Sequence, residues 1–186
     1  MSDVVTIDTR GGLDRLPHLR AGDAVELTGR VLTLRDASAA RLARAIESGD
    51  RLPVSLEGQL LYAVGPSPAQ PGQIIGSAGP TTTARMARYF RALFASGVRA
   101  VIGKGELHGD EMAPFTAHGV VYFAAIGGLG ALLAKQITAA TVIAYEELGP
   151  EALYALDIDA FPVVTIIDTA DRNFHEESRS QWRRRV

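Results

Sequence analysis

Apolar and polar positions alternate along "DAVELTGRVLTLRD", residues 23–36, which is the period-two pattern of half-buried strands. The turn-like pair Thr28-Gly29 in its middle predicts a β-hairpin or two short strands. The period then lengthens. Leu42, Ala43 and Ile46 fall on one face of a helix through "AARLARAIESG", with Asp36 or Ser38 as its cap and Gly49 as its stop. "QLLYAVGP" reads as a strand, and "SPAQPG" as a surface loop. From Gly72 strands and helices alternate. "GQIIGSAG" reads as a strand entering a glycine-rich turn, and a helix follows from about Thr83. Met86, Tyr89, Phe90, Leu93 and Phe94 recur on it at helical spacing, and Gly97 closes it. "VRAVIG", "VVYFAAI", "ATVIAYEE" and "FPVVTIID" are expected strands. "ALLAKQI" is an expected helix, and "HGDEMAPFTAHG" a loop with a short helix. This order implies an α/β domain, mixed sheets covered by helices.

Composition narrows the chemistry. At 186 residues the chain suffices for one good core. A formal net charge of −2 gives no global reason to expect nucleic acid or an anionic membrane as partner. The local exception is "SRSQWRRRV", with Arg179, Arg183, Arg184 and Arg185, read as a basic tail over 179–186 after a domain over 1–178. There is no cysteine, which excludes disulfides, a cysteine nucleophile and thiolate ligands for zinc or iron–sulfur clusters within the chain. "MSDVVTIDTR" lacks the basic and apolar regions of a signal peptide. "GVVYFAAIGGLGALLA" is broken by glycines and too short to cross a bilayer. The expectation is a cytoplasmic protein.

Few motifs carry chemistry. His18, His108, His118 and His175 show no pair at metal-ligand spacing. Gly103 and Lys104 lack the spacing and following hydroxyl of a phosphate-binding P-loop. Gly127, Gly128 and Gly130, between an expected strand and helix, superficially suggest a dinucleotide fold. Leu133, however, stands where a small residue should allow tight packing. The richest stretch is "GSAGPTTTARM", Gly76 to Met86. Free backbone N–H groups at a helix start, the hydroxyls of Thr81, Thr82 and Thr83, and Arg85 would together suit an anion. Thr81 and Arg85 face one spot if that turn is helical throughout. A threonine cap followed by a solvated arginine accounts for the same residues.

Taken in order, "LTGRVLTLRDAS", "LEGQLLYAVGPSPAQPGQIIGSAGPTTTARM", "VIGKG", "AAIGGLGALLA" and "ELGPEALYALDIDAFPVVTIIDTADRNF" resemble the C-terminal, or β-subunit, part of the class I fumarase and tartrate dehydratase family. The resemblance covers most of the chain. It implies a single domain of the swivelling β/β/α type. It also implies a hydro-lyase that adds or removes water on a four-carbon dicarboxylate, fumarate/malate or tartrate/oxaloacetate. Thr81 falls on the family's catalytic threonine. Arg85, Arg35 and Lys104 fall on its substrate-binding groups. No metal ligand is implied in this chain. A Cys-containing α subunit would carry a four-iron–four-sulfur cluster, in an αβ hetero-oligomer or with this chain a homodimer when alone. Two positions depart from the family pattern: Ala39 stands for a histidine and Ala87 for an aspartate. A binding or scaffold homologue that has lost the chemistry is therefore the alternative.

Overall fold

The computed structural model describes residues 4–183. Strands β1 (Val5–Asp8), β2 (Ala24–Thr33), β3 (Leu60–Tyr62), β4 (Ala100–Gly103) and β5 (Val121–Ala124) lie side by side in parallel. β7 (Leu153–Ile167) runs against β2 and β5, and β6 (Ile137–Ala144) runs against β7, so one mixed seven-stranded sheet holds these strands, in the order β1-β2-β3-β4-β5-β7-β6. β7 also pairs with β2 from Ala24↔Val164 to Leu32↔Ala155. Its other edge takes β6 first and β5 last. The sheet therefore closes on itself as a ring of β2, β3, β4, β5 and β7.

Alternation along the strands sorts side chains to the two faces of that ring. Leu60, Tyr62, Ala100, Ile102, Val121 and Phe123 join one core with Leu27, Leu156 and Phe161. Their sequence neighbours Leu61, Val101 and Tyr122 join a second core beneath the helices. Leu42 of α1 (Asp36–Ser48), Phe90, Leu93 and Phe94 of α2 (Ala87–Ala95) and Phe115 of α3 (Ala113–His118) complete it. The rings of Phe90, Phe94 and Phe115 meet with centroids 4.8–5.2 Å apart, the close aromatic packing that adds to simple burial. The result is a single mixed α/β domain. Two further helices, α4 (Gly130–Ala134) and α5 (Phe174–Trp182), are more exposed. α5 carries Arg179, which pairs with Glu106. Arg184 and Arg185 lie outside the described residues.

Several expected elements are corrected. The hairpin at Thr28-Gly29 is one continuous strand, β2, in which Gly29 stands at φ +119° beside a bulge on β7, where Asp159 and Ala160 together oppose Thr28. A positive φ within a strand needs the same permissive residue as a tight turn, which is why the sequence suggested a turn. Residues 72–79 form a loop, not a strand. Gln73 and Ile74 are exposed, and the Gly76 N–H turns back to the Ser67 carbonyl at 3.2 Å. "FPVVTIID" is only the last half of β7, whose first half pairs with β6 and β2 at once. The helical stripe from Met86 to Phe94 and the stop at Gly97 are as expected, with Phe90 and Leu93 fully buried.

The end of β7 is fastened by Asp168. Its buried carboxylate accepts from the N–H groups of Ala21 (3.0 Å), Ala170 (2.9 Å) and Arg172 (3.1 Å), and pairs with the Arg172 guanidinium at 2.6 Å. Burial works against its charge, but the amides of Arg172 and Ala21, with the guanidinium, outweigh burial and hold the carboxyl below its ordinary value. A depressed carboxyl stabilises the fold above its unfolded pKa and loses that contribution as pH falls through the folded one. Asp168→Asn is expected to lower the unfolding free energy by about 1.5–3 kcal/mol at pH 7. In thermal melts the gap to the parent protein should persist down to about the ordinary value of 3.8 and close as the pH falls further.

Candidate active site

Beyond Tyr62 and Ile102 the ends of β3 and β4 part, and residues 80–82 enter between them. Pro80 bridges to Val64, and Thr82 bridges in parallel to Lys104. The Thr81 N–H donates to the Ala63 carbonyl at 2.7 Å, and the Thr81 carbonyl accepts from the Lys104 N–H at 3.2 Å. Buried amides must be paired, so this insertion replaces the ladder bonds that β3 and β4 stop making. It also fixes Thr81 and Lys104 as backbone neighbours at the carboxyl ends of parallel strands, where open α/β sheets bind ligands.

The helical segment begins at Thr83 as expected, but the condition on which Thr81 and Arg85 would face one spot, a helical turn from Thr81, is not met. Thr82 is extended (φ −65°, ψ 116°), and a short 3-10 turn begins only at Thr83, leading into α2. Thr81 and Arg85 therefore do not lie one above the other on a helix. Thr83 serves the structure: its hydroxyl meets the Tyr122 hydroxyl at 3.1 Å, and Tyr122 donates to the Gly105 carbonyl at 2.9 Å. Burial pushes Tyr122 up to about 12, partly offset by the bond to Thr83, so it remains a neutral donor.

The Thr81 hydroxyl donates to the Ala63 carbonyl at 3.1 Å. Lys104 Nζ donates to the Thr82 hydroxyl at 3.1 Å. Arg35 directly precedes α1, where the Ser38 hydroxyl accepts from its N–H at 3.0 Å. Arg35 and Arg85 share one carboxylate, Asp36, at 3.6 and 3.2 Å. Arg35 also pairs with Glu151 at 3.1 Å. The structure thus gathers the four expected residues along one sheet edge as two pairs, Thr81 with Lys104 and Arg35 with Arg85.

The sequence did not point to the carboxylates. Asp36 was legible only as a helix cap, although its place beside Arg35 was a signal. Glu151 lies within "ELGPEALYAL", with no local pattern to mark it. Gly65 is the third residue that went unnoticed. A Cβ there would stand 2.7 Å from Arg35 Nη1 and 3.1 Å from the Pro150 carbonyl oxygen, so any side chain would displace the arginine. Gly65, Gly79, Pro80, Gly128, Gly130 and Pro150 wall an open groove of about 560 Å³ beside these groups. The glycines that suggested a dinucleotide turn belong to this wall, where the Ala78 N–H donates to the Gly130 carbonyl at 3.0 Å. Ala39 is fully buried in the second core, and Ala87 packs against that core.

Comparison with known proteins identifies the family. The Fumarase C-terminus model matches residues 2–178, and the chain belongs to that family. It is 32% identical over 165 residues to a Methanocaldococcus jannaschii protein named "Putative L(+)-tartrate dehydratase subunit beta", covering 86% of this chain and 85% of that one. It is 31% identical over 167 residues to the anaerobic class I fumarate hydratase of Escherichia coli, covering 89% of this chain but 30% of that enzyme. Fumarate hydratase 2 of Leishmania major is 30% identical over 181 residues, covering 94% of this chain and 32% of its own length. The relatives are thus hydro-lyases by name, and the chain spans about a third of the fumarate hydratases it matches.

Among the described residues no helix is long and apolar enough to cross a membrane. No group of three or more metal-ligating His, Asp or Glu side chains occurs among them either. With its side chain 58% exposed, Arg85 makes a surface ion pair of the kind worth little to stability. Arg85→Ala is expected to change the unfolding free energy in urea by less than about 1 kcal/mol. A larger loss would give Arg85 a structural task instead of a ligand-binding one.

Proposed function

We propose that this chain is the β subunit of a two-subunit hydro-lyase that reversibly adds or removes water on a four-carbon hydroxy-dicarboxylate. The observation that carries the reading is the convergence of Arg35, Arg85, Lys104 and Thr81 on one edge of the sheet. A dianion requires several fixed positive groups, and guanidinium forks match carboxylates through paired hydrogen bonds. The tartrate dehydratase β-subunit relative, matched over most of its length, supports the same assignment. The ring of strands with helices packed on one face supports the swivelling β/β/α type.

In this reading Arg35, Arg85 and Lys104 hold the carboxylates, and Thr81 moves the proton on the substrate carbon. The Thr81 hydrogen is engaged by the Ala63 carbonyl, so Oγ1 turns only acceptor capacity to other neighbours. Acting as a base requires that hydrogen to leave, and neighbouring cations favour the charged oxygen that results. The chain has no cysteine and does not fit an iron–sulfur cluster of its own. A Cys-containing α subunit would carry the four-iron–four-sulfur cluster, within an αβ assembly in the cytoplasm.

The test is hydratase activity after anaerobic reconstitution with the candidate α subunit, offering malate and both tartrate enantiomers. Turnover of one substrate should require both chains. Thr81→Ala should lower kcat by about 10²–10⁴-fold, the range for loss of a positioned acid–base group. Arg85→Ala should lower kcat/KM. Absence of turnover from a stable, cluster-loaded complex would overturn the reading and favour a non-catalytic dicarboxylate-binding homologue. Ala39 and Ala87 are then the positions to restore first.

A further inference from the structure

Arg35 is unusual among the proposed ligand groups. Its side chain is only 17% exposed, and its Nε is buried with no hydrogen-bond partner. A long cation in that position needs something to hold it, since immobilising an arginine opposes its rotamer entropy. Glu151 supplies the hold in a particular way. One of its oxygens, Oε1, accepts from Arg35 Nη2 at 3.1 Å, while Oε2 accepts from the Ala37 N–H of the first turn of α1 at 2.8 Å. The carboxylate thus ties the guanidinium to the helix that begins one residue later.

Glu151 is itself placed by interactions that do not involve Arg35. The fully buried Thr33 hydroxyl donates to the Ala152 carbonyl at 3.1 Å and accepts from the Tyr154 N–H at 2.9 Å. The end of β2 is thereby stitched to the start of β7, two residues before Arg35 and one after Glu151. The Tyr154 hydroxyl donates to the Gly149 carbonyl at 3.1 Å, fixing the turn on the other side. Arg41 of α1 pairs with Glu147 and lies over the Tyr145 ring at 5.1 Å, fastening the same loop to the helix. These bonds leave Glu151 little freedom.

We propose that Glu151 is the positioning residue for Arg35, holding its guanidinium at the angle from which it meets a ligand carboxylate. This rests on the reading of Arg35 as a carboxylate-binding group. Asp36 shares the hold but also serves Arg85, whereas Glu151 acts on Arg35 alone of the two arginines. Its two oxygens have separable tasks. Glu151→Gln keeps a carbonyl oxygen for the Ala37 N–H but loses the charge that holds Arg35. A merely structural role would survive that exchange, and a positioning role would not.

The experiment compares the parent, Glu151→Gln, Arg35→Ala and the double variant, each as the full chain. Three readouts are taken: the melting temperature, the side-chain Nε–H signal of Arg35 by NMR, and the steady-state kinetics with malate and both tartrate enantiomers after assembly with the α subunit. The expected result for Glu151→Gln is a melting temperature unchanged within about 2 °C. Its Arg35 signal should broaden or gain mobility, and KM for the turned-over substrate should rise about tenfold with kcat little changed, as for loss of uniform binding. In the Arg35→Ala background Glu151→Gln should add nothing further. An unaltered Arg35 signal in Glu151→Gln would overturn the proposal, as would an additive effect in the double variant. Should Arg35→Ala leave KM unchanged, the reading of Arg35 fails, while the NMR signal still decides whether Glu151 holds it.

Discussion

The site depends on one backbone constraint. Where β3 and β4 stop pairing, their freed amide and carbonyl groups must find partners, and residues 80–82 supply them. That exchange delivers Thr81 between Ala63 and Lys104 through backbone bonds. Placement of the proposed base and of one proposed cation is therefore a property of the sheet and not of a loop that must close. A second constraint completes the picture: β7 pairs on both edges and closes the ring, which brings Glu151, just ahead of it, against the arginine that follows β2.

Charge within the site is balanced locally. Arg35 and Arg85 do not stand bare; Asp36 lies between them and Glu151 restrains the inner one. Two guanidiniums held close together without a counter-charge would repel each other. The carboxylates relieve that repulsion, and the difference in exposure between the two arginines, 17% against 58%, separates an enclosed group from a solvent-facing one. Gly65, Gly79, Gly128 and Gly130 present bare backbone to part of the adjoining groove, which Ser67, Ser77, Pro80 and Pro150 also line.

Much of this was legible in the sequence for physical reasons. The helices α1 and α2 announced themselves by periodicity, because each buries one face and exposes the other, and β4 and β5 as short apolar runs buried on both faces. Thr81 and Arg85 drew notice locally as a candidate anion site, and Arg35 and Lys104 only through a family resemblance; that all four lie at one end of the sheet depends on strand order, which spacing does not show. Two kinds of feature escaped. Gly29 looked like a turn because a positive φ inside a strand and a turn ask the same of a residue, and residues 72–79 looked like a strand because short apolar runs do not reveal their partners. Glu151 could not be found locally: its partners Arg35 and Ala37 lie more than a hundred positions away and meet it only when β7 closes the ring.

The most direct measurement of the central claim is a crystal structure of the chain, assembled with the proposed α subunit, in complex with a hydroxy-dicarboxylate. The account predicts ligand carboxylates within hydrogen-bond distance of the Arg35 and Arg85 guanidiniums and of Lys104 Nζ, with the Thr81 hydroxyl facing the ligand carbon. A ligand seated elsewhere, for instance in the cleft lined by Gly72, Ser77 and Lys135, with Arg35 and Arg85 untouched, would contradict it.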